Sequence, residues 1–159
     1  MRFWLAVLAL AAAPALAQPR ESLVSERVTV SGEVRRDLSL GIDDLHALGR
    51  QRGLIEKAGY AGVRLVDLLG EAEIRQDARN AVRRTYVVAT STDGYVAIFS
   101  WGELFNSAVG ADVLIAFERD GKPLRDGEGA IALVSLADLR AGARHVKWLS
   151  RIEVKRLPD

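Results

Sequence analysis

The chain has 159 residues, enough for one domain with a sizeable buried core and too few for two catalytic domains. Apolar residues make up 49% and charged residues 27%, which excludes a disordered chain and a polytopic membrane protein. The 22 basic and 21 acidic residues give a net charge of +1 and no electrostatic footprint for nucleic acid. Cysteine is absent, which removes disulfides, thiolate metal ligands and cysteine nucleophiles together.

Met1-Arg2 is a short basic opening to an apolar run, Phe3 through Ala13, which Pro14 ends. Ala15-Leu16-Ala17 then supplies the small-x-small pattern of a signal-peptidase site. A spanning helix needs about 20 apolar residues, and the polar Gln18-Pro19-Arg20-Glu21 arrives too early for one. The expectation is therefore a signal peptide over 1–17, an N-terminal extension over 18–27 and one domain over 28–157. The protein would be periplasmic, with no stable membrane span after cleavage. Arg2 is the single charge in 1–17, so cleavage leaves 21 basic against 21 acidic residues.

Val28, Val30 and Val34 alternate with polar residues and predict a half-buried strand. Ile42, Leu45 and Leu48 predict a short helix with Asp43 and Asp44 in its first turn and Gly49 as its stop. Residues 50–59 are weakly patterned and read as mostly loop. Leu65, Leu68, Leu69 and Ala72 fall on one helical stripe.

Tyr86–Ala89 and Tyr95–Phe99 flank Asp93-Gly94, the pattern of a tight hairpin. Ser100 with Glu103 reads as a capping box ahead of a helical stripe of Trp101, Leu104, Phe105 and Ala108. Val113 through Phe117 is a strand buried on both faces, turned at Asp120-Gly121. Gly127-Glu128-Gly129 is a loop, Ile131–Val134 a strand, Ser135 with Asp138 a cap for a short helix, and Arg151–Leu157 a closing strand. Strands and short helices interleave on connections mostly too short for parallel crossovers. The fold class is α+β, a single domain with a mixed or antiparallel sheet core.

No phosphate loop, dinucleotide fingerprint or metalloprotease motif is present. Gly127-Glu128-Gly129 lacks the third glycine and following helix of a phosphate cradle, so it reads as a plain turn. His46 reads as a partly buried structural histidine, and Asp43-Asp44 as a helix-start device. Arg140, Arg144, His145, Lys147 and Arg151 lie within twelve positions, with Trp148 among them. If residues 144–148 are extended, His145 and Lys147 share a face, about 7 Å apart, and could grip an oxyanion. The simpler reading, which spacing alone favours, has both facing water while Val146 and Trp148 pack the core.

The order of segments resembles the oxidoreductase molybdopterin-binding domain, the fold of sulfite oxidase. The resemblance rests on Tyr60-Ala61-Gly62-Val63-Arg64-Leu65 before Asp67-Leu68-Leu69, on Asp93-Gly94-Tyr95, and on Asp120-Gly121-Lys122-Pro123-Leu124. The closing run Gly142-Ala143-Arg144, Val146-Lys147-Trp148-Leu149 and Arg151-Ile152-Glu153-Val154 is its most specific part. In that family a pterin bearing a phosphate is bound and a cysteine ligates molybdenum. The resemblance implies Lys147 as a pterin or phosphate contact and Arg144 as a supporting cation. His145 adjoins them in the same segment, though its role does not carry over. The metal-ligating cysteine is missing, and Ala130 and Ala132 stand where relatives have Pro and Arg. Three readings follow. One is an exported member without molybdenum-thiolate catalysis, binding a small, anionic or pterin ligand or a periplasmic redox partner. Another is an oxidoreductase retaining molybdopterin through Arg144 and Lys147. The third is a structural or interaction subunit with no ligand.

Overall fold

The structure, a computed structural model, describes residues 25–77, 80–125, 127–140 and 142–158. The leader expected over 1–17 and most of the 18–27 extension lie outside the described residues. Among the described residues no helix is long and apolar enough to cross a membrane.

Two sheets carry the fold. The first has five strands: β1 (Arg27–Gly32), β2 (Leu38–Gly41), β5 (Thr85–Ser91), β6 (Val96–Ser100) and β11 (Leu149–Arg156), in the order β2-β1-β11-β5-β6. Its β1–β11 pair is parallel and the rest antiparallel, so the first and last strands among the described residues lie side by side at its centre. The second sheet contains β3 (Ile55–Lys57), β4 (Tyr60–Arg64), β7 (Val113–Arg119), β9 (Ala132–Ser135) and β10 (His145–Val146), in the order β10-β9-β7-β4-β3. A short β8 (Lys122–Pro123) folds back on the end of β7. The helices are α1 (Ile42–Arg52), α2 (Leu65–Ala72), α3 (Ala81–Arg84) and α4 (Trp101–Phe105), with a 3₁₀ turn over Ala108–Asp112.

One apolar core joins the inner faces of both sheets. Val28, Val30, Phe99, Ile152 and Val154 enter from the first sheet, Val63, Val113, Ile115 and Phe117 from the second, and Leu45, Leu65, Leu68 and Leu69 from the helices. The outer face of the second sheet carries a smaller cluster of Tyr60, Ala116, Leu124, Ala132 and Val134. Strand β7 thus packs apolar residues on both sides, as its unbroken apolar run predicts. Gly62 sits where β4 and β7 approach closely: a Cβ there would stand 2.2 Å from the Ile115 carbonyl oxygen.

Several elements differ from expectation. Helix α1 runs through Gly49 to Arg52 and ends at Gly53, because Gly49 is buried against Leu54 and Val63. Residues 55–57 form an edge strand within the expected loop. The Trp101 helix stops after five residues, and its stripe is only partly buried, with Phe105 39% exposed. Ser135 and Asp138 start no helix, since the Ser135 hydroxyl donates to Asp138 Oδ1 at 2.8 Å across a turn. The hairpin, the capping box and the closing strand stand as predicted.

Candidate functional site

The outer face of the second sheet collects its polar groups through one irregularity. Ala116 pairs with Gly62, but Glu118, not Phe117, pairs with Ala61, so Phe117 is an extra residue in β7. Such a bulge reverses which face each following side chain takes. It puts Arg119 opposite Tyr60 on the outer face. His145, paired with Val134 across β10 and β9, reaches the same face from the other edge.

Glu128 closes over these groups. Positive φ at Gly127 (85°) and Gly129 (80°) lets the loop turn the Glu128 side chain inward, where it is 11% exposed. The loop is held by the Trp148 amide donating to the Glu128 carbonyl at 2.8 Å and the Leu149 amide to the Ile131 carbonyl at 2.9 Å. Arg119 Nη1 donates to Glu128 Oε1 at 2.7 Å and to Tyr60 Oη at 3.1 Å. The Tyr60 hydroxyl donates to the carboxylate, 3.2 Å from each oxygen, and His145 Nε2 lies 3.0 Å from Oε2. The Arg119 guanidinium also stands 4.9 Å over the Tyr60 ring. Burial, reinforced by the Glu128 charge, pushes the Tyr60 phenol above its ordinary value, with Arg119 partly opposing.

Arg144, the neighbour of His145, points elsewhere. Its Nε donates to Asp138 Oδ2 at 3.0 Å, Nη2 to Asp138 Oδ1, and Nη1 to Glu103 Oε1 at 2.9 Å. The guanidinium also lies 4.8 Å over the Phe99 ring. Arg144 thus ties Asp138, just beyond the end of β9, to Glu103 on α4. Its hydrogen bonds hold the Asp138 carboxyl below the ordinary carboxylate range, while the Ser100 amide is the main cause of the same shift in Glu103.

The residues singled out from sequence therefore do not converge. Arg144 belongs to the Asp138–Glu103 clamp and His145 to the Glu128 cluster. Lys147 is exposed, with no ion pair or hydrogen bond for its ammonium among the described residues. The extended run ends early: β10 covers only His145–Val146, and Trp148 takes φ 49°. His46 is half-buried as expected, its ring 4.5 Å from that of Phe117 and its Nε2 3.7 Å from Glu118. Sequence reasoning missed Arg119, Tyr60 and Glu128 as one group. Their meeting depends on the bulge, and no periodicity in Glu118-Arg119-Asp120-Gly121 announces it.

The chain matches known proteins over nearly its whole length. The family "oxidoreductase molybdopterin binding domain" matches residues 16–159. Mitochondrial sulfite oxidase of Rattus norvegicus is 31% identical over 125 residues, covering 76% of this chain and 22% of the relative. The Mus musculus enzyme is 30% identical over 136 residues, covering 83% of this chain and 24% of the relative. This chain thus spans less than a quarter of the length of those curated relatives. Among solved structures, the sulfane dehydrogenase SoxCD of Paracoccus pantotrophus superposes with a TM-score of 0.58 and 22% identity, over 80% of this chain and 37% of that one, a likeness of fold. With the family match running over residues 16–159 and a sulfite oxidase 31% identical over 76% of this chain, the chain belongs to the oxidoreductase molybdopterin-binding domain family, of the sulfite oxidase type.

Proposed function

We propose that this protein is an exported binding module of the molybdopterin-binding family. Residues 1–17 act as its cleaved leader, residues 28–157 form its domain, and molybdenum-thiolate catalysis has been lost. Its ligand is a small molecule, anionic in character, or a redox partner in the periplasm.

The observation that carries this reading is the state of Arg144. The cation that the resemblance makes a cofactor contact already donates to two carboxylates of its own chain. An anionic cofactor would have to displace both. The donor set points the same way: the chain contains no thiolate, and no group of three His, Cys, Asp or Glu among the described residues could hold a metal ion. The residues present do not fit a thiolate-held molybdenum centre.

Lys147 supports a second reading. Its ammonium is exposed and has no partner among the described residues, so it could meet the phosphate of a pterin, in which case the protein would be an oxidoreductase that retains molybdopterin. Native mass spectrometry of protein purified from its own exporting host separates the readings. A bound small molecule other than a pterin is the expected result. A stoichiometric pterin, lost on Lys147→Ala, would establish the second reading, and recovery of no ligand would favour a structural or interaction subunit.

A further inference from the structure

Each sheet ends on two edge strands, and three of the four are defended against pairing. Strand β3 carries Glu56 and Lys57, β10 is two residues long, and the Ser39 carbonyl and hydroxyl on β2 already accept from Arg27. Strand β6 has no such device: Val96-Ala97-Ile98-Phe99-Ser100 holds no charge and no proline. Its free backbone groups are aimed outward. The Ser91 amide donates to the Tyr95 carbonyl at 3.0 Å, in register with the β5–β6 pairs. Because such bonded pairs alternate, Ala97 and Phe99 turn their amides and carbonyls to β5, and Val96 and Ile98 turn theirs to the open edge. The Ser100 amide, also outward, donates instead to Glu103 Oε2 at 2.8 Å. Val96 and Ile98 are 46% and 57% exposed, an apolar patch on the outer face of the first sheet.

We propose that β6 is a dimerisation edge, which pairs antiparallel with β6 of a second copy about a two-fold axis at Ala97. In that register Val96 faces Ile98 of the second copy, and every outward amide and carbonyl of the two residues is satisfied. Centring on Ile98 instead would set Val96 against Ser100, whose amide is already taken by Glu103. The Val–Ile pairs meet on the outer face as β-branched cross-strand neighbours. Charge also favours a second copy. Antiparallel pairing brings the exposed Asp93 end of one strand to the Trp101 end of the other, where Arg83 lines the same cleft as Ser100 and Trp101. The net charge of +1 sets little repulsion against self-association. The pairing strand is short, so the contact belongs with small, transient interfaces, with a dissociation constant on the order of 10–100 μM. The inference goes beyond the reading above: it needs no ligand and stands whether or not one is bound.

Sedimentation equilibrium of the chain purified from its exporting host, from about 1 μM to about 1 mM, is the test. The expected result is a mass that rises from one chain to two. Ile98→Lys plants a charge on an exposed position of the strand and should weaken the dimer at least about tenfold. It should leave the melting temperature of the monomer within about 2 °C of wild type. Half-labelled wild-type protein should show NMR Overhauser contacts between Val96 methyls of one copy and Ile98 methyls of the other. If Ile98→Lys does not fold, Val96→Lys is read in the same way, and the wild-type contacts decide without either variant. A chain still monomeric at about 1 mM, a dimer indifferent to the lysine, or intermolecular contacts at another surface would each overturn the proposal. So would a different protein that co-purifies with a monomeric wild-type chain and is released by Ile98→Lys, since the edge then serves another partner.

Discussion

Gly129 lies directly against Trp148: a Cβ built on the glycine would stand 2.6 Å from Trp148 Cδ1 and 3.0 Å from Trp148 Cα. Trp148 itself takes φ 49°, so two constrained residues lock the Glu128 loop to the chain entering β11. Replacing Gly129 by Ala adds a left-handed backbone penalty to a clash, together about 3 kcal/mol. The expected outcome is a melting temperature lowered by roughly 10 °C, measured by circular dichroism. A change within a degree or two would show that the loop relaxes freely.

Arg144 is paired with Asp138, whose side chain is only 12% exposed. Truncation to Met leaves that carboxylate without its cation and should cost about 2–3 kcal/mol in urea unfolding. Asp138→Asn should cost less, because Ser135 and Arg144 keep hydrogen-bond partners. The double variant should show clear coupling in a mutant cycle.

Acid should weaken the same clamp. The Asp138 carboxyl is held low chiefly by its hydrogen bonds from Arg144, and Glu103 chiefly by the Ser100 amide. Each folded-state value is depressed below that of the unfolded chain. The stability from these groups is therefore complete above the ordinary carboxylate value of about 4 and is lost as pH falls through the folded values. Urea midpoints should drop as the pH falls below about 4, and the drop should be shallower in Arg144→Met.

Lys147→Ala tests an exposed position. With no partner for its ammonium among the described residues, the change should move stability by no more than about 0.5 kcal/mol. A larger loss would mean that the side chain packs on the surface more than its exposure indicates.

Much of the fold was legible because apolar period and turn chemistry act locally. Leu65, Leu68, Leu69 and Ala72 are all fully buried on α2, and Gly94 takes φ 90° in the hairpin turn that Asp93-Gly94 announces. Asp93 stabilises its own turn by accepting from the Tyr95 amide at 3.0 Å, as its position suggests. Gly49 misled because an internal glycine that packs closely on Leu54 looks the same in sequence as a helix stop. The functional residues were less legible. Arg144 and His145 are adjacent in sequence, yet Arg144 lies in the turn before β10 and His145 opens that strand, and the two enter separate networks. Glu128 looked like part of a plain turn because its three partners lie 9, 17 and 68 residues away.

The central claim is that a molybdopterin-binding fold persists here without a thiolate for the metal and with its arginine already engaged. The molybdenum content of protein purified from its native compartment, expressed as atoms per chain, tests it most directly. A ratio far below one is the predicted result; a ratio near one, stable through gel filtration, would contradict the account.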